Sequence, residues 1–147
     1  MPESPPRVLV VEDDDATRVM LTEFLSEEGF AVSSALDGAH ALRAAAAGMP
    51  DLIVLDIGLP ILDGTGFARQ WRERPGADAI PIVAVSGLPY GEQMAREIGA
   101  IAFYRKPLDL PAFAQVLREI AGPRVVRTEP TEEIALRVEP AGESAPG

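Results

Sequence analysis

Asp51-Leu52-Ile53-Val54-Leu55-Asp56 decides the fold: an unbroken apolar run, Leu52 to Leu55, set between two carboxylates. A run that does not alternate leaves no face for water, so it marks a strand buried on both sides, as in parallel sheets covered by helices. The same signature recurs at Val8 to Val11 and Ile80 to Val85, and more weakly at Ile101 to Tyr104. A fifth run, Phe30 to Ala35, is less apolar, as expected of an outer strand with one wetter face.

Amphipathic stretches fill the intervals. Asp14 to Glu28 sets Val19, Met20, Leu21, Phe24 and Leu25 around one helical face, with Gly29 as the stop. Asp37 to Ala47 carries Ala39, Leu42, Ala45 and Ala46 at helical spacing and ends at Gly48. Three more helices are expected at Gly64 to Arg72, Tyr90 to Ile98 and Leu110 to Ala121, the last with Phe113, Val116, Leu117 and Ile120 on one side. Strand and helix thus alternate five times. Right-handed crossovers must return over the sheet, so the expected fold is α/β: a doubly wound, five-stranded parallel sheet, (βα)5, with helices on both faces.

The 147 residues suit one domain, and a 47% hydrophobic content argues against a disordered chain. Lys and Arg total 13 against 23 Asp and Glu, a net charge of -10 that repels a phosphate backbone, so no direct nucleic-acid partner is expected. Cysteine is absent, which removes thiolate chemistry and disulfides and fits a reducing compartment. Residues 1–6, Met-Pro-Glu-Ser-Pro-Pro, lack the basic start and apolar core of a signal peptide, and no apolar run approaches the roughly 20 residues of a membrane span. A cytoplasmic protein is expected, with a disordered stretch 1–6, a folded domain 7–122 and a mostly disordered tail 123–147 rich in Pro and Glu. Two patches in that tail, Arg124 to Arg127 and Ile134 to Val138, are candidates for ordering against a partner or another copy.

Ligands of open parallel sheets bind beyond the carboxyl ends of the strands, where strand order reverses. At those ends stand Glu12-Asp13-Asp14, Asp56, Ser86 and Arg105-Lys106-Pro107. Carboxylates gathered there repel one another unless a cation neutralises them, and an oxygen-only set suits a hard ion such as Mg²⁺ better than zinc. A carboxylate beside a metal, an ammonium and a hydroxyl has the nucleophile and the charge neutralisation that phosphoryl transfer needs. Each residue alone has a plainer use. Asp14 caps the following helix, Lys106-Pro107 reads as a loop, and His40, the single histidine, sits on a helix among Ala and Leu.

Four segments in order carry a family resemblance: Val8 to Asp14, Asp51 to Pro60 with Asp63-Gly64, Pro81 to Gly87, and Gly99-Ala100 with Lys106-Pro107. Over about Arg7 to Gly122 the chain resembles a response-regulator receiver domain of two-component signalling, similar to the bacterial chemotaxis regulator and its relatives. The resemblance implies that Asp56 is the phosphoacceptor and that Mg²⁺ is held by Asp13, Asp56, the carbonyl of Gly58, and Glu12 directly or through water. It makes Ser86 the hydroxyl that swings toward the phosphoryl group, Phe103 the aromatic that follows it inward, and Lys106 the residue that binds a phosphoryl oxygen. Activation would repack the face formed by the fourth helix, fifth strand and fifth helix.

Departures from the family pattern refine these expectations. Glu12 replaces the more frequent Asp. Ser86-Gly87 stands where Thr-Ala is usual, which predicts a looser switch. Phe103 lacks the hydroxyl of a Tyr. Gly58 and Leu88, at positions whose side chains tune hydrolysis in the family, offer no group to orient water, which predicts slow self-dephosphorylation. The implied protein is a phosphoacceptor switch rather than a turnover enzyme. Its implied partners are a histidine kinase or histidine phosphotransferase and an unidentified downstream protein, with homodimerisation on phosphorylation as a further route. Alternatives are a phosphorylation-independent interaction module, a receiver fragment of a hybrid kinase, or a small phosphohydrolase; the last would need an acid/base carboxylate where Gly58 stands.

Overall fold

The computed structural model describes residues 4–58, 64–121 and 137–139. In chain order the elements are β1 (Arg7–Val11), α1 (Asp15–Glu27), β2 (Ala31–Ala35), α2 (Gly38–Ala47), β3 (Leu52–Asp56) and α3 (Gly64–Arg72). A 3-10 turn at Ala77–Ala79 follows, then β4 (Ile82–Ser86), α4 (Gly91–Glu97), β5 (Ala102–Arg105), α5 (Leu110–Ala121) and β6 (Arg137–Glu139). The strands form one parallel sheet in the order β2-β1-β3-β4-β5-β6, so the five expected strands make the doubly wound sheet and order reverses between β1 and β3.

Successive side chains of a strand face opposite sides, which splits the apolar runs between two layers. Leu9, Val11, Ile53 and Leu55 pack with Phe67, Trp71 and Phe103 under α2, α3 and α4. Val8, Val10, Leu52 and Val54 pack with Leu21, Leu25, Phe113 and Leu117 under α1 and α5. β3 and β4 are buried at every position, whereas β2, at the sheet edge, alternates between exposed and covered.

Two helical faces differ from expectation. On α1 only Leu21 and Leu25 are buried, while Val19 and Met20 are exposed, at 51% and 45%. Phe24 is partly buried and completes that stripe. Helical spacing alone placed the stripe too wide: the sheet accepts a narrow one, and the Arg18 guanidinium turns inward beside it to donate to the Glu12 carbonyl. On α2 the buried face is Gly38, Ala41 and Ala45, and Ala46 is exposed.

The ends of the chain fall only partly within the described residues. Of the stretch 1–6, Pro6 is tied down, its carbonyl accepting from the Ala31 amide at 2.8 Å. Of the tail 123–147, the described part, Arg137–Glu139, is a strand paired with β5, overlapping the second candidate patch. Arg124 to Arg127, like Pro60 and Asp63 of the motif, lies outside the described residues.

Candidate functional site

Parallel register brings the carboxyl ends of four strands into one row. Val11 pairs with Leu55, Asp56 with Val85, and Ser86 with Arg105, so the residues that end or follow these strands share one rim of the sheet. Glu12 is anchored there by its amide, which donates to Ala35 O, and Lys106 by its amide, which donates to Ser86 O. Among the described residues the buried polar or charged ones are Glu12, Asp56 and Ser86, all three on this rim. Buried charge is costly unless paired, so its concentration here needs a specific cause.

The Lys106 ammonium is one part of it. Nζ lies 2.8 Å from Glu12 Oε1 and 3.3 Å from Asp56 Oδ2, bridging the two carboxylates. Asp56 Oδ1 accepts from the Gly58 amide at 2.9 Å, and Glu12 Oε2 from the Asp14 amide at 3.2 Å. These bonds do not neutralise the cluster. Burial, and after it the Asp56 charge, push the Glu12 carboxyl up to about 7 against the opposing hydrogen bond from Lys106. Burial would lower the Lys106 pKa, but the hydrogen bond to Glu12 and the charges of Asp56 and Glu12 outweigh it and hold the ammonium above its ordinary value. The pair is therefore asymmetric, with a firmly charged ammonium facing a carboxyl poised near neutrality.

A cation would relieve that strain. One carboxylate oxygen each from Glu12, Asp13 and Asp56 lie within 4.8 Å of one another, with Asp13 on the exposed side. The donors are all oxygen, which fits a hard divalent ion such as Mg²⁺. Asp14, by contrast, is a helix cap: its carboxylate accepts from Thr17 N at 2.8 Å and Thr17 Oγ1 at 2.6 Å. The Thr17 hydrogen bonds hold its pKa below the ordinary carboxylate value. His40 is half-buried and accepts from the Leu36 amide at 3.4 Å.

Ser86 stands on the same rim, its carbonyl accepting from the Lys106 amide, and Phe103 lies within β5, two residues before the Arg105 that pairs with Ser86. Ser86 Oγ accepts from the Leu88 amide at 2.9 Å, and Phe103 is fully buried. Three residues join them: Gly91 and Arg18, which sequence reasoning did not single out, and Arg105, which it placed at this strand end without a role. A Cβ built on Gly91, the first residue of α4, would stand 2.8 Å from Ser86 Cβ and 3.1 Å from Phe103 Cε1, so only glycine lets α4 start this close. Arg105 lies 5.4 Å from the Phe103 ring centroid and donates to Leu88 O at 3.1 Å, tying strand β5 to the loop after Ser86. Arg18 tethers the Glu12 carbonyl. A glycine opening a helix and an arginine beside a lysine have too many ordinary uses to carry a local signal.

Comparison with known proteins agrees with this geometry. The profile of the response regulator receiver domain matches residues 8–118. The response regulator PleD of Caulobacter vibrioides is 38% identical over 113 residues, 75% of this chain and 25% of that protein. The transcriptional regulatory protein PrrA of Mycobacterium leprae is 34% identical over 134 residues, 90% of this chain and 58% of that protein. The chain thus spans well under two thirds of either curated relative. Among solved structures, chemotaxis protein CheY4 of Vibrio cholerae aligns with a TM-score of 0.73 at 26% identity, covering 79% of this chain and 98% of that one. The signal receiver domain of a histidine kinase from Syntrophus aciditrophicus aligns with a TM-score of 0.74 at 28% identity, covering 84% and 95%.

Proposed function

Because the chain belongs to the response regulator receiver domain family, we propose that it is a phosphorylation-controlled switch whose phosphoacceptor is Asp56. The donor is the phosphohistidine of a histidine kinase or phosphotransferase. One observation carries the reading: Asp56, 8% exposed, lies against the Lys106 ammonium in a cluster with Glu12 and Asp13. In the reaction an Asp56 carboxylate oxygen attacks phosphorus, the phosphorus–nitrogen bond of the donor breaks, and its electron pair leaves on the imidazole. Lys106 offsets negative charge on the transferred group, and Ser86, its hydroxyl now held by Leu88 N, turns to donate to a phosphoryl oxygen. Glu12, Asp13, Asp56 and the Gly58 carbonyl are the residues proposed to hold Mg²⁺, which when bound would neutralise charge on the phosphoryl oxygens. The protein acts on itself rather than turning over a substrate, and it signals through the face formed by α4, β5 and α5.

The product acyl phosphate is proposed to hydrolyse slowly. Leu88 Cδ1 stands 3.3 Å from where a Cβ on Gly58 would be, so both hydrolysis-tuning positions are apolar and adjacent. The switch itself is proposed to be loose, since Ser86 lacks the methyl that would restrict its rotamer. A second reading, a receiver unit within a larger regulator or hybrid kinase, is supported by the 25% share of PleD that the chain spans and by its likeness to the Syntrophus kinase receiver.

Intact mass after incubation with a small acyl phosphate tests the core reading. A single phosphoryl adduct is expected, absent without Mg²⁺ and absent in Asp56→Asn. An adduct that survives either omission would overturn the assignment, and loss of the adduct within seconds of donor removal would overturn slow hydrolysis.

A further inference from the structure

β6 is the shortest strand of the sheet, three residues against four in β5 and five in β1 to β4. It lies parallel on the outer edge of β5, with Ala102 opposite Arg137, Phe103 opposite Val138 and Tyr104 opposite Glu139. It reaches that edge after α5, as the second strand of a β-α-β unit like the others in the fold. Pro140 follows at once and has no N–H to extend the ladder. An open β5 edge would otherwise present unpaired backbone groups to any extended chain.

What makes this edge more than a capped margin is the residue at its centre. Phe103, opposite Val138, and Ser86 both border the space where a Gly91 Cβ would stand. Ser86 is bonded to Leu88, and Leu88 to Arg105, whose guanidinium lies over the Phe103 ring. Ser86 in turn ends the strand next to β3, which ends in Asp56. Ser86, Leu88, Arg105 and Phe103 therefore link the rim that carries Asp56 to the backbone on which β6 rests.

We propose that the β5 edge is a docking site for the chain's own segment 137–139, and that its occupancy is coupled to phosphorylation of Asp56. This rests on the phosphoacceptor reading above. With Asp56 unmodified, Ser86 is held by Leu88, Phe103 is packed inward and the strand is docked. A phosphoryl group draws the Ser86 hydroxyl toward Asp56, the Phe103 ring shifts further into the space vacated, and the movement of β5 that accompanies it releases the strand, freeing the edge for an extended segment of a partner protein. Coupling is reciprocal, so weakening the docked strand must favour phosphorylation.

The test is hydrogen exchange on the full chain, before and after phosphorylation with acyl phosphate and Mg²⁺, beside Val138→Pro and a control, Ala141→Pro, outside the paired residues. Protection of amides 137–139 and of the β5 edge is expected in the unmodified protein, lost on phosphorylation and lost in Val138→Pro. Val138→Pro should also gain its adduct about fivefold faster than wild type or the control, the low end of typical coupling. Protection that persists through phosphorylation, with equal rates in all three chains, would overturn the proposal. So would protection that rises with protein concentration together with a dimer, because the strand would then come from a second copy. If no chain forms an adduct, the phosphoacceptor reading fails and the coupling with it. The comparison of wild type with Val138→Pro would still report whether the strand docks in cis.

Discussion

Asp51 and Asp56 bracket the same buried strand and meet opposite environments. At the amino end, the Asp51 carboxylate accepts from the Arg7 amide at 2.9 Å at an exposed bond, and the Asp51 amide donates to Arg7 O at 2.7 Å. That carboxylate ties two strands together from a partly exposed position. At the carboxyl end, Asp56 is buried beside Glu12 and shares the Lys106 ammonium with it. The contrast shows that a carboxylate becomes chemically useful here through the company that register imposes on it. Where a carboxylate meets a backbone amide at the margin of the sheet, the group is structural; where like charges converge in a buried row, they are left to bind what neutralises them.

The largest expected break of this asymmetry is Lys106→Ala. It leaves two carboxylates without their ammonium, and should slow phosphorylation by roughly 10- to 100-fold and destabilise the metal-free protein at pH 8 by about 3 kcal/mol, the low end for a broken buried pair because the lysine is partly exposed. Single-turnover mass kinetics and urea unfolding would read the two effects, and an unchanged rate would remove Lys106 from the site.

Glu12→Gln sharpens the comparison through pH. A carboxyl raised to about 7 when folded binds its proton more tightly folded than unfolded, so its contribution to stability is full below its ordinary value near 4.5 and is lost as pH rises through 7. Relative to Glu12→Gln, the metal-free wild type should lose about 2 kcal/mol of stability between pH 5 and pH 7.5. A parallel pH dependence for the two proteins would mean that Glu12 ionises normally.

Gly91→Ala forces a Cβ against Ser86 and Phe103. It should destabilise by about 1–2 kcal/mol in urea unfolding and slow adduct formation, since the Ser86 hydroxyl must move within the same space. Asp51→Ala has the smallest expected effect, about 0.5–1 kcal/mol from loss of its partly exposed hydrogen bond to the Arg7 amide, with the phosphorylation rate unchanged. A rate effect at Asp51 would show the two ends of the strand to be coupled.

Much of this was legible in the sequence, because it depends on local pattern. Unbroken apolar runs mark buried parallel strands, glycines mark helix ends, and the residues that follow each run land on the carboxyl rim whatever the details. Hence Glu12, Asp13, Asp56, Ser86 and Lys106 could be named before their distances were known. The exposure of Val19 and Met20 was not legible, because the width of a buried stripe is set by the sheet beneath it. Nor were Gly91 and the role of Arg105, whose significance lies in what stands across from them.

The sequence by itself determined the order of elements, the parallel sheet and the side chains available at one end of it. Only the tertiary structure decided that Lys106 bridges carboxylates 94 and 50 positions away, that burial beside Asp56 pushes the Glu12 carboxyl up to about 7 in spite of that bridge, and that residues 137–139 close the β5 edge beside Phe103. The physical reason is range. Periodicity and turn chemistry act over a few neighbours along the chain, whereas charge coupling and edge pairing depend on distances that exist only once the strands are in register.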